Sequence, residues 1–323
     1  MQLRNNSEKR RGGKGMDGTS IGWLALPLAI LGGAIRVSTP FIFVSIGELI
    51  TEKSGRINLG LEGTLMLGAM AGYAISYLSG SPWLGVLSAG LAGMAFGLLH
   101  GLLCSVKRVN DTAIGISLIV LGTGLAFFLG KPLIEPKAPP LPSIGLGFWS
   151  TVPQVRAALD VNALFFVGIA LAFAVYLFLN RTGWGLMLRT VGDSEDAARA
   201  LGFPVLRVRI IATMAGGFLA GIGGSFLSLS YPGSWSEGLS SGQGIMAVAL
   251  VIFARWRSVN ALGASLLFGG AGALGPALQG IGVTGYYYLF NAAPYILTLA
   301  IMVASTSRAA PFADAPGELK LHR

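Results

Sequence analysis

Long stretches without a charged side chain are the dominant feature of this sequence. Six windows contain no Asp, Glu, Lys or Arg, and together they hold 177 of the 323 residues: 63–106, 112–130, 161–180, 210–236, 238–254 and 258–307. Charged residues make up 11% of the chain, against about 25% in a typical soluble domain. Because a water-soluble fold needs charge over its surface, this pattern predicts a polytopic membrane protein. It excludes a disordered chain, a disulfide-rich secreted domain and a nucleic-acid-binding protein.

Ten apolar segments follow from these windows. They lie at approximately 20–36, 37–50, 57–79, 83–106, 112–130, 161–180, 210–231, 240–254, 259–278 and 286–304. Their apolar runs are continuous rather than alternating, which favours helices over a β-barrel. Segments 37–50 and 240–254 are short enough to be half-helices, a common device in transporters. We therefore expect an all-α polytopic membrane protein with about ten (eight to ten) transmembrane helices, some of them broken or short.

The positions of the basic residues indicate the orientation. With the N-terminus in the cytoplasm and ten crossings, 19 of the 23 Lys and Arg residues lie inside and four lie outside, as expected if cytoplasmic loops carry the positive charge. This predicts a basic cytoplasmic tail over 1–19, a transmembrane domain over 20–304 and a cytoplasmic tail over 305–323. Within the domain, 131–160 is the expected external loop and 181–209 the expected cytoplasmic loop.

The expected cytoplasmic loop contains a short helix at 193–202 with a signal at each end. Asp193 or Ser194 can cap the N-terminus. Gly202 suits the left-handed position that follows a helix, and Pro204 prevents continuation. The alanines of this helix allow another surface to approach closely. On these features alone, an ordinary capped connector fits equally well.

Three motifs occur in a fixed order along the chain. They are 47–63 (GELITEKSGRINLGLEG), then Gly185, Arg189, Gly192 and Asp196-Ala197-Ala198-x-x-x-Gly202, and then 242–253 (GQGIMAVALVIF). The second resembles the coupling-helix signature of ABC importer permeases, in which Glu usually stands where this chain has Asp196. The first and third are similar to the early and late motifs of the branched-chain amino acid and simple-sugar permease superfamily. The first looks most like the shorter permease subunit of nucleoside importers.

This resemblance implies a function and a set of partners. In that family the coupling loop inserts into a groove on the ATPase subunit and transmits its closure to the membrane domain. The positions that match are Arg189, Gly192, Asp196, Ala197, Ala198 and Gly202. The implied partners are a second, homologous permease, an ATPase with two fused nucleotide-binding halves that holds ATP and Mg, and a lipid-anchored external binding protein. The implied location is a bacterial inner membrane. Nucleosides are the expected cargo, with simple sugars or riboflavin-like compounds as alternatives.

Four polar residues are candidates for the translocation pathway: Glu48, Asn58, Glu62 and Gln243. A carboxylate within the bilayer costs about 2.5–3.5 kcal/mol on insertion scales, so it needs a partner or water. Both glutamates could line or gate the pathway, or they could pair with Lys53 or Arg56 or cap a broken helix. Gln243 offers a neutral amide to an uncharged solute, or it forms a hydrogen bond between helices.

Glycine recurs at four-residue intervals in two of the apolar segments. The positions are Gly93, Gly97 and Gly101 in one segment and Gly217 and Gly221 in another. Such spacing places the glycines on one face of a helix and permits close helix approach. We interpret both sets as helix packing rather than binding.

The sequence contains no catalytic motif. A Gly-x-x-x-x-Gly-Lys-[Ser/Thr] loop is missing, so ATP hydrolysis is expected in a partner subunit. With two histidines and one cysteine in 323 residues, no zinc site is expected, and no Gly-x-Ser-x-Gly elbow occurs. The chain is therefore expected to be no enzyme and to bind no metal or cofactor. An ion-coupled secondary transporter remains an alternative because intramembrane acids could carry ion coupling, whereas the capped helix at 193–202 argues against it.

Overall fold

Helices make up most of the structure. The computed structural model describes residues 25–106, 109–134, 137–151, 153–230, 233–280, 285, 287–306 and 315–321. The helices are α1 (Ala25–Lys53), α2 (Leu61–Ser79), α3 (Pro82–Leu103), α4 (Asp111–Gly130), α5 (Pro153–Ala158), α6 (Ala163–Arg181), α7 (Gly183–Asp193), α8 (Glu195–Ala200), α9 (Val205–Leu229), α10 (Gln243–Phe253), α11 (Ser258–Gly280), α12 (Tyr287–Asn291), α13 (Ala293–Thr306) and α14 (Gly317–Leu321). A short 3-10 turn spans Lys131–Leu133, and the strands are β1 (Ser143–Gly145) and β2 (Asp160–Asn162).

Six of these helices are long and apolar enough to cross a membrane, by length and composition: α1, α3, α4, α6, α9 and α11. The seventh long helix, α2, has 19 residues and is mostly buried among the others. Together they confirm an all-α polytopic membrane protein. The predicted tail 1–19 lies outside the described residues, as does most of the predicted tail 305–323, so their cytoplasmic position remains a prediction.

The first helix departs from the sequence prediction. Segments 20–36 and 37–50 do not cross separately, because α1 is one helix of 29 residues with Pro40 inside it. Proline removes the hydrogen bond that the Arg36 carbonyl oxygen would otherwise accept from residue 40, and the hydroxyl groups of Ser38 and Thr39 donate to the neighbouring Ile35 carbonyl oxygen. Hydroxyl side chains and neighbouring helices commonly satisfy the backbone around a proline in a membrane helix. The prediction of two segments here is therefore wrong.

The two ends of α1 lie at opposite ends of the helix bundle. We call the end that carries the 181–209 loop the inner end and the opposite one the outer end. Gly192 of this loop packs against the Lys53 carbonyl oxygen, close to where α1 finishes. Gly32, near the start of α1, packs against the backbone of Ala158 in the predicted external loop. Segments 20–36 and 37–50 thus form one crossing rather than two, so α1 begins at the outer end, whereas the predicted cytoplasmic N-terminus requires the first apolar segment to begin at the inner end.

Segment 240–254 forms a half-helix, as the sequence predicts. Only 11 residues are helical in α10, which corresponds to about 16 Å at 1.5 Å per residue. A hydrocarbon core is roughly 30 Å thick. Just beyond α10, the Trp256 side chain donates a hydrogen bond to the Glu52 carboxylate at the inner end of α1. Helix α10 therefore ends at the inner end and begins inside the bundle.

Close packing of α3 on α9 holds the centre of the bundle together. The glycines singled out in the sequence lie in this contact: Gly93, Gly97, Gly101, Gly217 and Gly221. A Cβ atom on Gly93 would overlap the Gly217 carbonyl oxygen, and one on Gly217 would overlap the Gly93 carbonyl oxygen. The two backbones thus touch at this point, which only a pair of glycines permits.

The predicted external loop folds over the outer ends of the helices. Strands β1 and β2 pair antiparallel within it, with Ile144 opposite Val161. The Leu141 N–H donates to the Leu229 carbonyl oxygen at the end of α9 (2.9 Å), and the Ala138 N–H donates to the Tyr73 hydroxyl of α2 (3.3 Å). The loop is therefore a packed part of the bundle.

Candidate functional site: a coupling loop and two cavities

The helix predicted at 193–202 is α8, and its first turn is capped by serine. Ser194 has an extended backbone, and its hydroxyl oxygen accepts a hydrogen bond from the Ala197 N–H (3.3 Å). Of the two candidate caps, Asp193 instead ends α7. Glu195 and Asp196 occupy the first turn of α8, where negative charge complements the helix dipole.

A glycine in the left-handed conformation terminates α8. Gly202 has φ +78°. The Phe203 N–H donates to the Ala198 carbonyl oxygen, and the Gly202 N–H donates to that of Arg199, both at 2.9 Å. These two bonds form a Schellman motif. Pro204 follows, so both ends of α8 are fixed by local sequence signals.

The two central alanines of the signature face opposite environments. Ala198 is fully buried in the core of this chain, whereas Ala197 and Asp196 are exposed. Leu201, at the end of the helix, is 65% exposed. Ala198 therefore packs within this chain, and its assignment to ATPase coupling stays a prediction. The exposed face of α8 is formed by Asp196, Ala197, Arg199 and Ala200, and Leu201 extends it just beyond the helix.

The other two signature positions lie on α7. Gly192 is buried, and a Cβ atom there would overlap the Lys53 carbonyl oxygen, so the approach of α7 to α1 requires glycine. Arg189 is half-buried, and its Nε atom has no hydrogen-bond partner among the described residues. Gly192 thus has a packing role, while Arg189 retains a donor for a further contact.

An ionic network that the sequence did not indicate ties α8 to the membrane helices. Glu195 pairs with Arg199 within α8 and with Arg209 of α9 (2.6 Å to Arg209). Burial on its own would raise the pKa of the Glu195 carboxyl. The hydrogen bonds from Arg199 and Arg209, together with the positive charges of both, have the larger effect, so the pKa lies below its ordinary value. Arg209 also donates to the Ser54 carbonyl oxygen (3.2 Å) and pairs with Glu318 of α14 (3.4 Å). These partners lie far apart in the chain, so no local pattern could reveal them.

Glu62 caps the half-helix α10. Its carboxylate accepts hydrogen bonds from the Gly242 N–H (2.9 Å) and the Gly244 N–H (2.7 Å), and a third from the Ser240 hydroxyl. A helix N-terminus leaves four N–H groups without intrahelical partners, and a carboxylate there is favoured by the helix dipole. The structure therefore matches the interpretation of Glu62 as the cap of a broken helix.

Glu48 and Asn58 organise the turn between α1 and α2. The Glu48 carboxylate accepts a hydrogen bond from the Asn58 N–H (2.7 Å), and the Asn58 side-chain oxygen accepts one from the Gly60 N–H (2.9 Å). Both side chains are buried. Arg56, a possible partner of Glu48, pairs instead with Asp111 (2.7 Å). In this structure the two residues support the backbone of the turn, and neither is in the described lining of the two cavities that follow.

A cavity of about 610 Å³ opens at the outer end. It follows α1 from Ala29 to Pro40 and is closed by parts of α5, α9, α10 and α11. Of the four pathway candidates, Gln243 lines it, and the buried Gln243 Oε1 atom has no hydrogen-bond partner in the described part of the chain. Arg36 is the one charged residue among the described residues of its lining. The cavity thus combines apolar walls with one amide and one guanidinium group.

A second cavity, of about 680 Å³, lies at the inner end. Glu52, Arg56 and Asp111 line it together with Val248 and Ile252 of α10. Helix α10 therefore contributes Gln243 to the outer cavity and its following turns to the inner one. A shift of this half-helix would alter both cavities at once.

Comparison with known proteins identifies the family. Residues 30–306 match the model of the branched-chain amino acid transport system permease component. The guanosine ABC transporter permease protein NupQ of Bacillus subtilis is 31% identical over 89% of this chain and 93% of its own length. The nucleoside ABC transporter permease protein NupC of Lactococcus lactis is 29% identical over 90% of this chain and 96% of its own length.

A sugar permease is similarly related. The "Putative glucose ABC transporter permease protein TsgC13" of Haloferax volcanii is 33% identical over 76% of this chain and 76% of its own length. The family match covers most of the chain and includes all three motifs, the coupling loop and most of the lining of both cavities. The chain therefore belongs to the family of branched-chain amino acid transport system permease components.

Proposed function

We propose that this chain is the permease subunit through which an ABC importer moves nucleosides across a bacterial inner membrane. Its membership of the permease family supports the transport role. The observation that supports an uncharged cargo is the outer cavity, in which a buried amide oxygen of Gln243, without a hydrogen-bond partner among the described residues, meets apolar walls. Ligand sites commonly combine apolar walls with a few polar groups that fix orientation. A nucleoside presents an aromatic base to such walls and hydroxyl or amino donors to the amide.

The charge of the cavity lining separates this cargo from a free amino acid. A zwitterionic amino acid brings an ammonium group and a carboxylate, and buried charges need opposite charges as partners. Arg36 could face a carboxylate, but the described lining contains no acid for the ammonium group. An uncharged solute needs neither partner.

Import of simple sugars is the second candidate. The 33% identity to a glucose permease favours it, and sugar hydroxyls could donate to Gln243 equally well. The nucleoside permeases align with a larger share of this chain, 89% and 90% against 76%. Because both cargoes are uncharged, the cavity alone favours neither.

In this proposal the work is divided among several subunits. A lipid-anchored binding protein delivers the solute to the outer cavity, and a second, homologous permease completes the pathway. An ATPase with two fused nucleotide-binding halves holds ATP and Mg, and this chain takes part in no covalent step. The ATPase contacts the exposed face of α8 and Arg189, and its closure moves α10 through the surrounding helices.

Uptake into reconstituted liposomes tests the proposal. The complex is purified with the products of the neighbouring genes, and the entry of labelled adenosine, guanosine, ribose and glucose is measured with ATP on the ATPase side. We expect ATP-dependent entry of nucleosides. Entry of sugars alone would replace the cargo and keep the mechanism. Entry that needs no ATP and follows an ion gradient would overturn both in favour of a secondary transporter.

A further inference from the structure

The C-terminal helix α14 docks directly on the coupling loop. The Glu318 carboxylate accepts a hydrogen bond from the Glu195 N–H, the first backbone amide of α8 (2.7 Å). A Cβ atom on Gly317 would overlap the Asp193 carbonyl oxygen at the end of α7. The two segments are thus in backbone contact although 123 residues separate Glu195 from Glu318.

The same carboxylate reaches the membrane helices. Its second oxygen pairs with Arg209 of α9 (3.4 Å), whose side chain is 9% exposed. Arg209 in turn donates to the Ser54 carbonyl oxygen just beyond α1 and pairs with Glu195. Charge-assisted hydrogen bonds are about twice as strong as neutral ones, and partial burial limits their screening by salt. Glu318 therefore joins α8, α9 and the end of α1 in one network.

Helix α8 needs such support if it is to transmit a displacement. It has six residues, whereas isolated helices shorter than about 12–15 residues are marginal in water. Its rigidity must therefore come from its caps and from tertiary contacts. Ser194 satisfies one backbone amide at its start and Glu318 satisfies another.

The network leads from α8 to the outer cavity. Helix α9 begins near Arg209 at the inner end, and Phe226 and Leu227 near its other end line the outer cavity. Helix α1 likewise runs from the Ser54 contact to Arg36 and Pro40 in the same wall. A displacement of α8 that is passed to both helices would therefore move two walls of the cavity.

We propose that Glu318 is a positioning residue for transmission, and that α14 acts as a strap that makes α8, α9 and the end of α1 move as one body. The strap belongs to the same chain as the coupling helix and is distinct from the coupling-helix signature. The inference rests on the proposed role of α8 in ATPase coupling and is independent of the cargo.

A labelling experiment on the assembled transporter tests this. Ala29 is exposed and lines the outer cavity, and the native Cys104 is buried. A29C therefore reports on the outer cavity through its rate of reaction with a maleimide applied from the outer side. The rate is compared with and without ATP and vanadate, which trap the ATPase. The background chain without A29C corrects for other thiols.

Two variants of Glu318 distinguish the contribution of its hydrogen bond to the Glu195 N–H from that of its ion pair with Arg209. E318Q keeps an oxygen that can accept from the Glu195 N–H but removes the charge that faces Arg209, whereas E318A removes both. In complexes that still contain the ATPase and hydrolyse ATP, we expect the nucleotide-induced change in the A29C rate to fall by about fivefold or more in E318A. We expect an intermediate fall in E318Q. E237Q, which removes an exposed charge near the outer end, serves as the matched control and retains the full change.

Three results would overturn the proposal that α14 acts as a strap. The first is an assembled E318A complex with the wild-type nucleotide response at A29C. The second is an A29C rate that nucleotide leaves unchanged in the wild-type background, since no motion would then exist to transmit. The third is loss of assembly in both variants, which would assign Glu318 to folding alone. Uptake by the same vesicles decides the cargo separately, because the labelling response needs no solute.

Discussion

The carboxylate of Glu62 caps a helix that begins 180 residues further along the chain, through hydrogen bonds from the Gly242 and Gly244 N–H groups. An acid in the first turn of α2 thus sets where the half-helix α10 starts. Because Gln243 is the first residue of α10, the same contact fixes the position of the amide in the outer cavity. The acid most suggestive of ion coupling therefore has a structural task.

Replacement of Glu62 by Ala should destabilise the protein and impair transport. The variant leaves two buried N–H groups without their acceptor, and removal of a charged cap with several hydrogen bonds costs about 2 kcal/mol. E62Q retains one acceptor oxygen and should lose less. Thermal unfolding can be followed with a thiol-reactive dye, because the single cysteine, Cys104, is buried. Equal melting of E62A and the exposed-site control E237A would contradict the capping role.

The unpaired oxygen of Gln243 leads to a prediction about solute recognition. Gln243→Leu should lower uptake about tenfold, which corresponds to the 1–1.5 kcal/mol of a typical hydrogen bond. ATP hydrolysis and assembly should persist because no described contact of the Gln243 Oε1 atom is lost. Gln279→Leu makes the same change at an exposed site on α11. Unchanged uptake in Q243L would show that the amide does not contact the solute.

The fold class and the local helix signals could be predicted from the sequence, whereas the long-range contacts could not. Uncharged windows defined the fold class, and the local signals at Ser194, Gly202 and Pro204 located both ends of α8. The sequence did not predict the continuity of α1, because a proline within a polar run resembles a break, whereas the structure has one helix through Pro40. The contacts of Glu62 with α10 and of Glu318 with Glu195 and Arg209 join residues more than 100 positions apart. Pairings at such separations depend on the packing of the whole bundle.

The glycine contact between α3 and α9 should be intolerant of a single methyl group. Gly93→Ala would drive Cβ into the Gly217 carbonyl oxygen, and overpacking of this kind costs about 1–3 kcal/mol. Gly124→Ala is the matched control, since Gly124 is also helical but has no atom within 4 Å of the added Cβ. G124A should be neutral or stabilising because glycine costs about 0.5–1 kcal/mol in a helix. Similar melting temperatures for both variants would exclude the close contact.

Opposite environments at Ala197 and Ala198 allow docking of the ATPase to be separated from folding. Ala197→Arg adds a bulky charge on the exposed face of α8 and should abolish co-purification of the ATPase while the melting temperature stays close to that of the wild type. Ala198→Arg buries an unpaired charge, which costs several kcal/mol, and should prevent stable folding. Ser236→Arg, at an exposed site near the outer end, controls for added positive charge and should change neither property. Retention of the ATPase by a well-folded A197R chain would show that the exposed face of α8 is not the docking surface.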